Sequence, residues 1–503
     1  MRGSEDKTKF SAFLKSKKHL VFGESENRMN IYSNRRMRFM LLVVLCLTHI
    51  EYSMCAAAAQ SLGKAPQSAK KIDARVEDYM KAAVKAKHFS GSILIARNGQ
   101  PLVSKGYGMA NYELDVPNTP QTVFRIGSMT KQFTAMSIMM LQERGKLRVG
   151  DSIGKYLKAC PIAWRTITIR HLLTHTSGIP NYTSLPDFKK AAALPVTHEQ
   201  MVGRFKPLPL EFKPGESFNY SNSNYYLLGL IIEKTSGQSY EAFLRKNIFV
   251  PLGMKQSGID NQRRLVENRA GGYFQQDGLV VNDAYQDMSQ AFAAGALLST
   301  PRDLLLWDRA LYTEKLISRA SRHQMFTPFK EQSPGEGYAY GWVVSRQFGR
   351  PQIAHGGSVS GFSSYIARFP SDRVTVIVLG NKSNVLSSGI AQDLSAIIFG
   401  APYQMPRERK AIVVALHTLD KYRGLYRLTP HITYSVTVKN GKLMGQMGQL
   451  SGQPKAELFA ETETKFYLKA VDAQITFIQD NRGEVTGMVV YQGGFRVSAP
   501  KIK

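Results

Sequence analysis

Cysteine is scarce in this chain. Three occur in 503 residues, Cys46, Cys55 and Cys160. The first two fall in a stretch that reads as removable, which leaves no disulfide framework. No histidine pattern surrounds Cys160, so it reads as a packed thiol rather than a nucleophile. Long apolar runs are wanting too. The run at residues 39–47 is about half the roughly twenty residues that span a bilayer. His49 and Glu51 close it, and no stable membrane span is expected. Acid is short: 38 Asp and Glu stand against 66 Lys and Arg, a formal net charge of +28. The basic residues are spread along the chain without helix-turn-helix or zinc-finger spacing, so nucleic acid is not an expected partner. A basic surface facing anionic cell-envelope polymers accounts for the charge equally well. Gly-x-Ser-x-Gly is absent, and with it the nucleophile motif of the α/β-hydrolases. His171 and His175 are spaced like a metal pair, but no acidic residue lies between them and no third ligand is in view. No metal and no cofactor is expected.

What is present suffices for a sizeable core. Hydrophobic residues make up 43% and aromatics 10%, and the length implies two folded units. Arg35, Arg36 and Arg38, the apolar run after them and Ala56–Ala58 have the order of a signal peptide over about residues 35–59. Export to the periplasm or the outside follows. The thirty-odd residues before it are unusual for such a segment, and Met29 or Met37 is the expected start. A helix is predicted over 71–87 from Ile72, Val76, Tyr79, Met80 and Val84 at helical spacing. A hairpin follows, turning at Asn98-Gly99. A long helix is predicted over 123–147, stopped by Gly145. Helices and loops fill 150–330. Strands are predicted at 338–344, 363–368 and 373–380, and a helix at 388–399. Strand pair, helical middle, strands and final helix imply an α/β (α+β) fold in which the first and last parts share one antiparallel sheet. A charged linker at 405–410 leads to strands separated by short turns, a small all-β unit (sandwich or open barrel) of about 85 residues. The expected division is 1–59 extension and signal, 60–405 main domain, 411–503 C-terminal domain.

Three motifs carry chemistry. Ser-x-x-Lys is weak alone, occurring six times, but only Ser128-Met-Thr-Lys131 opens a strongly apolar helix. Three residues apart on a helix, the amine reaches the hydroxyl. Burial and the positive helix end then lower its proton affinity, as a base requires. Tyr220-Ser-Asn222 precedes a second apolar helix; a tyrosine hydroxyl can relay a proton to a leaving group, and Asn222 can bond both the lysine and a substrate amide. His355-Gly-Gly357-Ser358 is placed at the start of a strand, where paired glycines admit a ligand close to the backbone. The amides of Ser358 and Ser128 would form the oxyanion pair.

In this order the three motifs resemble the serine β-lactamase and penicillin-binding-protein superfamily, in its class C-like branch with D-alanyl-D-alanine carboxypeptidases, D-aminopeptidases and esterases. His171–Gly178 (HLLTHTSG), Phe212-Lys-Pro-Gly215 and Ala294–Thr300 are similar to that branch as well. The resemblance covers about residues 70 to 400. It implies a β-lactamase/transpeptidase-like fold with a helical subdomain. Ser128 is the implied nucleophile, Lys131 and Tyr220 share the proton work, and Asn222, His355, Gly357 and Ser358 bind substrate. The C-terminal part resembles a small β domain often appended to such hydrolases. The chain departs from the pattern at His355, where efficient β-lactamases usually carry lysine. A mostly neutral histidine disfavours β-lactams, although mild acid should charge it and improve their turnover. Small esters or D-amino-acid peptides and amides, cell-wall fragments among them, are the expected substrates. A class C-like β-lactamase and a non-catalytic envelope-binding protein are the alternatives.

Overall fold

The computed structural model describes residues 68–157, 160–261, 263–276, 279–333, 336–407, 411–428, 432–448, 455–468, 473–492 and 495–503. The expected signal segment at about 35–59 lies outside them. Among the described residues no helix is long and apolar enough to cross a membrane.

The central sheet has eight strands: β1 (Gly91–Arg97), β2 (Gln100–Tyr107), β3 (Lys330–Ser333), β4 (Glu336–Tyr338), β5 (Val343–Gln347), β6 (Arg350–Val359), β7 (Phe362–Phe369) and β8 (Val374–Gly380). Their spatial order is β3-β4-β5-β6-β7-β8-β1-β2, antiparallel throughout. The N-terminal hairpin thus docks on the last strand, as the order of elements implies. Alternation sends Ile93, Ile95, Val376 and Val378 to one face, against helices α1 (Ala69–Lys85) and α6 (Ser387–Phe399). Leu94, Ala96, Ile377 and Leu379 face the other way, into the core shared with the helical part. Burial on both faces is why these strands read as nearly unbroken apolar runs.

Helix α2 (Thr130–Glu143) runs through that second core, with every residue from Thr130 to Leu141 buried. A helix apolar all round belongs in an interior. It is shorter than the predicted 123–147. Phe124–Arg125 are instead a strand paired with Leu298 and Ser299, and Gly127 sits at φ +50°, outside the α-helical range. The predicted strand 338–344 is likewise broken. Residues 339–342 turn between β4 and β5, and Gly341 approaches α2 so closely that a Cβ would stand 2.7 Å from the Lys131 carbonyl oxygen. Helices α3 (Asn222–Ser236), α4 (Phe292–Gly295) and α5 (Pro301–Ala310) complete the surroundings of α2.

Past residue 411, eight strands from Gly424–Arg427 to Phe495–Pro500 pair in chain order around their own core of Tyr426, Val436, Phe466, Phe477 and Met488. The predicted sandwich or open barrel is in fact closed. Tyr426 bridges Lys501, Leu425 N donates to Lys503 O at 2.7 Å and Ile502 N to Leu425 O at 2.8 Å. Joining first and last strands removes both sheet edges.

Candidate active site

Ser128 lies in a single 3-10 turn, Gly127–Met129, that leads into α2. Its side chain is half-buried, whereas Lys131, one turn on, is wholly buried. The Lys131 Nζ stands 3.0 Å from Ser128 Oγ, 2.8 Å from Asn222 Oδ1 and 2.8 Å from the carbonyl oxygen of Ala294. Burial holds this amine well below the ordinary lysine range, since charge is costly away from water. A neutral amine has two hydrogens and one lone pair. Asn222 Oδ1 and Ala294 O can only accept, so they take the two hydrogens. The lone pair is left for the hydroxyl hydrogen of Ser128.

Tyr220 precedes α3, and its hydroxyl feels the Ser128 side chain. Lys131 Nζ lies 4.9 Å from the centre of its ring. Burial raises the tyrosine's pKa, so it stands as a proton donor. Asn222 opens α3, and its Nδ2 donates to Asn181 Oδ1 at 3.3 Å and Thr183 Oγ1 at 3.2 Å. Both hydrogens are engaged. In this arrangement its oxygen serves Lys131 and its nitrogen is held by the loop.

The His355-Gly-Gly segment occupies the second half of the ten-residue β6 rather than a strand start. Register with β5 ends at Ala354, while pairing with β7 continues to Val359. Beyond Ala354 that edge has no β5 partner, and Ile126–Ser128 packs beside it. A Cβ on Gly357 would lie 2.0 Å from Ile126 O and 2.8 Å from Ser128 N; one on Gly127 would lie 2.7 Å from Ser358 N. Glycine on both sides lets the two backbones meet, which brings the amides of Ser128 and Ser358 to one place. Ser364 Oγ, 2.7 Å from Ile126 O and 3.3 Å from Gly357 O, ties the segments together. Ser358 itself is exposed.

His355 is buried. Its Nε2 is 2.9 Å from Tyr338 Oη and its Nδ1 2.5 Å from Gly356 O. Nδ1 must donate to that carbonyl, so Nε2 accepts from the tyrosine, and neither nitrogen is left for a substrate carboxylate. Burial, the largest cause, pushes it down to about 3. The expectation that mild acid charges His355 is corrected accordingly: the ring stays neutral from pH 5.5 upward.

Sequence reasoning missed four participants. His175 is wholly buried with its ring 4.3 Å from that of Tyr220, and its Nδ1 accepts from Ser221 N at 3.2 Å. Ala294 supplies a carbonyl, which no side-chain motif can announce. Asn181 and Thr183 hold Asn222. Only His175 had a signal, inside the Thr-His-Thr-Ser-Gly segment, and it was set aside with the metal reading. His171 by contrast accepts from Thr168 N at 3.2 Å as part of a helix cap.

The chain is similar to known proteins over most of its length. The Beta-lactamase family model matches residues 72–396, and a model described as a domain of unknown function matches residues 408–500. A penicillin-binding protein of Bacillus subtilis (strain 168) is 30% identical over 439 residues, 82% of this chain and 95% of that relative. Among solved structures, an octameric penicillin-binding protein homologue from Pyrococcus abyssi has a TM-score of 0.61 at 30% identity, covering 84% of this chain and 99% of its own. A D-stereospecific amidohydrolase from Streptomyces has a TM-score of 0.54 at 27% identity, covering 62% and 94%.

Proposed function

The chain belongs to the serine β-lactamase and penicillin-binding-protein superfamily, a family of serine hydrolases, and from that premise we propose that it is an exported hydrolase forming an acyl-enzyme on Ser128. Its substrates are small esters or D-amino-acid peptides and amides. The observation that carries this reading is the buried Lys131 amine, 3.0 Å from Ser128 Oγ and 2.8 Å from both Asn222 Oδ1 and Ala294 O; in its neutral form its two hydrogens go to those last two acceptors and its electron pair is left for the serine proton.

The Ser128 hydroxyl gives its proton to Lys131 Nζ as Oγ attacks the carbonyl carbon. The amides of Ser128 and Ser358 receive the developing oxyanion. The lysine, now an ammonium, keeps acceptors in Asn222, Ala294 and the Tyr220 ring face, so charge formed in the transition state meets groups already aimed at it. As the C–N or C–O bond breaks, the Tyr220 hydroxyl gives its proton to the leaving amine or alkoxide and takes the serine proton in turn from the Lys131 ammonium, so both groups are restored. Water then enters, gives up a proton along the same path and releases the acid. The likeness to a D-stereospecific amidohydrolase from Streptomyces supports the amide reading. A neutral, fully bonded His355 argues against efficient β-lactam turnover, because it offers a lactam carboxylate no fixed positive charge. Export rests on the segment at 35–59.

Labelling with a fluorophosphonate and a fluorescent penicillin, followed by mass spectrometry, tests the assignment. The adduct is expected on Ser128. Ser128→Ala should lose labelling and at least about a thousandfold of ester hydrolysis, since oxyanion and binding effects alone remain. Wild-type hydrolysis by the pure variant would overturn the reading.

A further inference from the structure

We propose that Asn181 is a positioning residue for proton transfer: it turns the Asn222 carboxamide so that oxygen, and not nitrogen, faces Lys131. The inference rests on the reading of Lys131 as the base for Ser128.

A carboxamide has two ends of nearly the same shape and opposite hydrogen-bonding character. With oxygen toward Lys131, Asn222 accepts one amine hydrogen and leaves the lone pair to Ser128. With nitrogen toward it, Asn222 donates into that lone pair, and Ser128 loses its proton acceptor. Nothing within Asn222 selects between the two. The selection begins at a group whose character is fixed, the main-chain N–H of Asn222, which can only donate. The Asn181 side-chain atom 3.0 Å from it must therefore be oxygen. That same oxygen lies 3.3 Å from the Asn222 side chain, so the end of Asn222 facing it must be the NH2. Oδ1 is then the end left for Lys131, at 2.8 Å.

Thr183 cannot make this choice. Its hydroxyl, 3.2 Å from Asn222 Nδ2, donates or accepts as required and would serve either orientation. Asn181 is held at its other end, where Nδ2 donates to Ser184 Oγ at 3.2 Å; its orientation is set by the Asn222 main-chain N–H alone. A chain of polarity thus runs from a backbone amide through two side chains to the amine. The bland alternative is that Asn181 only caps the short turn Tyr182–Ser184, through its bond from Thr183 N at 3.4 Å.

The pH profile of fluorophosphonate labelling separates the two and needs no knowledge of the natural substrate. The titratable groups around Lys131 are Tyr220 and Tyr225, whose rings face its Nζ, and His175 and His355. Burial keeps both phenols protonated and both imidazoles neutral across the working range, so the limb that rises with pH belongs to Lys131. In Asn181→Leu the carboxamide is free to turn. The plateau rate should fall about ten- to a hundredfold, the loss of one oriented hydrogen bond in the transition state. The limb should move to lower pH, because the ammonium has lost an acceptor. In Asn181→Asp the carboxylate still accepts from both Asn222 donors. Its plateau should stay within about threefold of wild type by that same scale, and the limb should move to higher pH, because negative charge favours the ammonium.

A capping role alone would change thermal stability and leave the leucine variant's plateau and limb in place. An unmoved plateau and limb in Asn181→Leu overturn the proposal, and so does an aspartate variant whose plateau falls as far as the leucine one. Should Asn181→Leu fail to fold, the smaller Asn181→Ala removes the same acceptor and carries the same expected plateau loss and limb shift to lower pH. Ser128→Ala serves as the control: labelling that persists there defeats the acyl-enzyme reading itself, and labelling that vanishes there while Asn181 proves inert defeats only this inference.

Discussion

His175 sits at φ +57° with no solvent contact, a backbone conformation that costs a residue with a Cβ roughly 1–2 kcal/mol. The position is held because Nδ1 receives the Ser221 amide directly beneath Tyr220. In His175→Phe the ring volume is kept and the acceptor is lost, leaving a buried N–H unbonded at a cost of about 1–3 kcal/mol. Thermal unfolding should register that loss, and hydrolysis should slow by about tenfold as Tyr220 loosens. Activity unchanged at full occupancy would show that the ring alone suffices. His355 makes a prediction of sign. Its pKa falls from 6.5 unfolded to about 3 folded, so between those values the unfolded chain holds a proton that the folded one lacks. Stability therefore falls as pH drops through that window and is insensitive to this residue above it. His355→Gln, which can still accept from Tyr338, should lose less thermal stability between pH 7 and 4.5 than the native protein. Its ester-hydrolysis profile from pH 5.5 to 8 should keep the native shape.

Between elements, α3 and α4 meet closely. Gly229 on α3 faces Phe292 and Ala293, and a Cβ there would meet Phe292 Cε1 at 2.4 Å and Ala293 Cβ at 2.5 Å. The next residue, Ala294, presents the carbonyl that binds Lys131, and Thr134 Oγ1 on α2 bonds the carbonyl of Ala293 at 2.7 Å. Displacement of α4 is thus displacement of the base's acceptor. Gly229→Ala should cost about 1–3 kcal/mol by overpacking and lower turnover by about tenfold, a 1.4 kcal/mol effect on the barrier. Gly237→Ala, in the helix's left-handed C-cap with open space around it, should cost roughly 1 kcal/mol of stability and leave turnover alone. Equal losses of turnover in the two variants would mean that general destabilisation, not the shift of α4, is the cause.

For the whole molecule, the buried residues of the closed barrel form a cluster separate from the two clusters on either face of the central sheet. We expect a chain ending at Arg407 to fold alone, with a cooperative thermal transition and native labelling of Ser128. An insoluble product or an unlabelled serine would place barrel and hydrolase in one cooperative unit.

The chain's own order determined much of this. Alternation and helical spacing are local, so the hairpin, α1, α6 and the switch to an all-β pattern after 410 were legible from neighbours a few residues apart. So was the Ser128–Lys131 pairing, which needs only one helical turn. The tertiary structure decided whatever depends on distant partners. Lys131 finds its acceptors 91 and 163 residues away, one of them a main-chain carbonyl indistinguishable in sequence from any other. The barrel closes through bonds between its first strand and the last residues of the chain, a long-range register that alternation does not encode. His355 reads as a residue at the mouth of the site and is in truth buried against Tyr338. Whether an ionisable group is solvated is settled by everything packed around it, and that is a property of the fold, not of the residue.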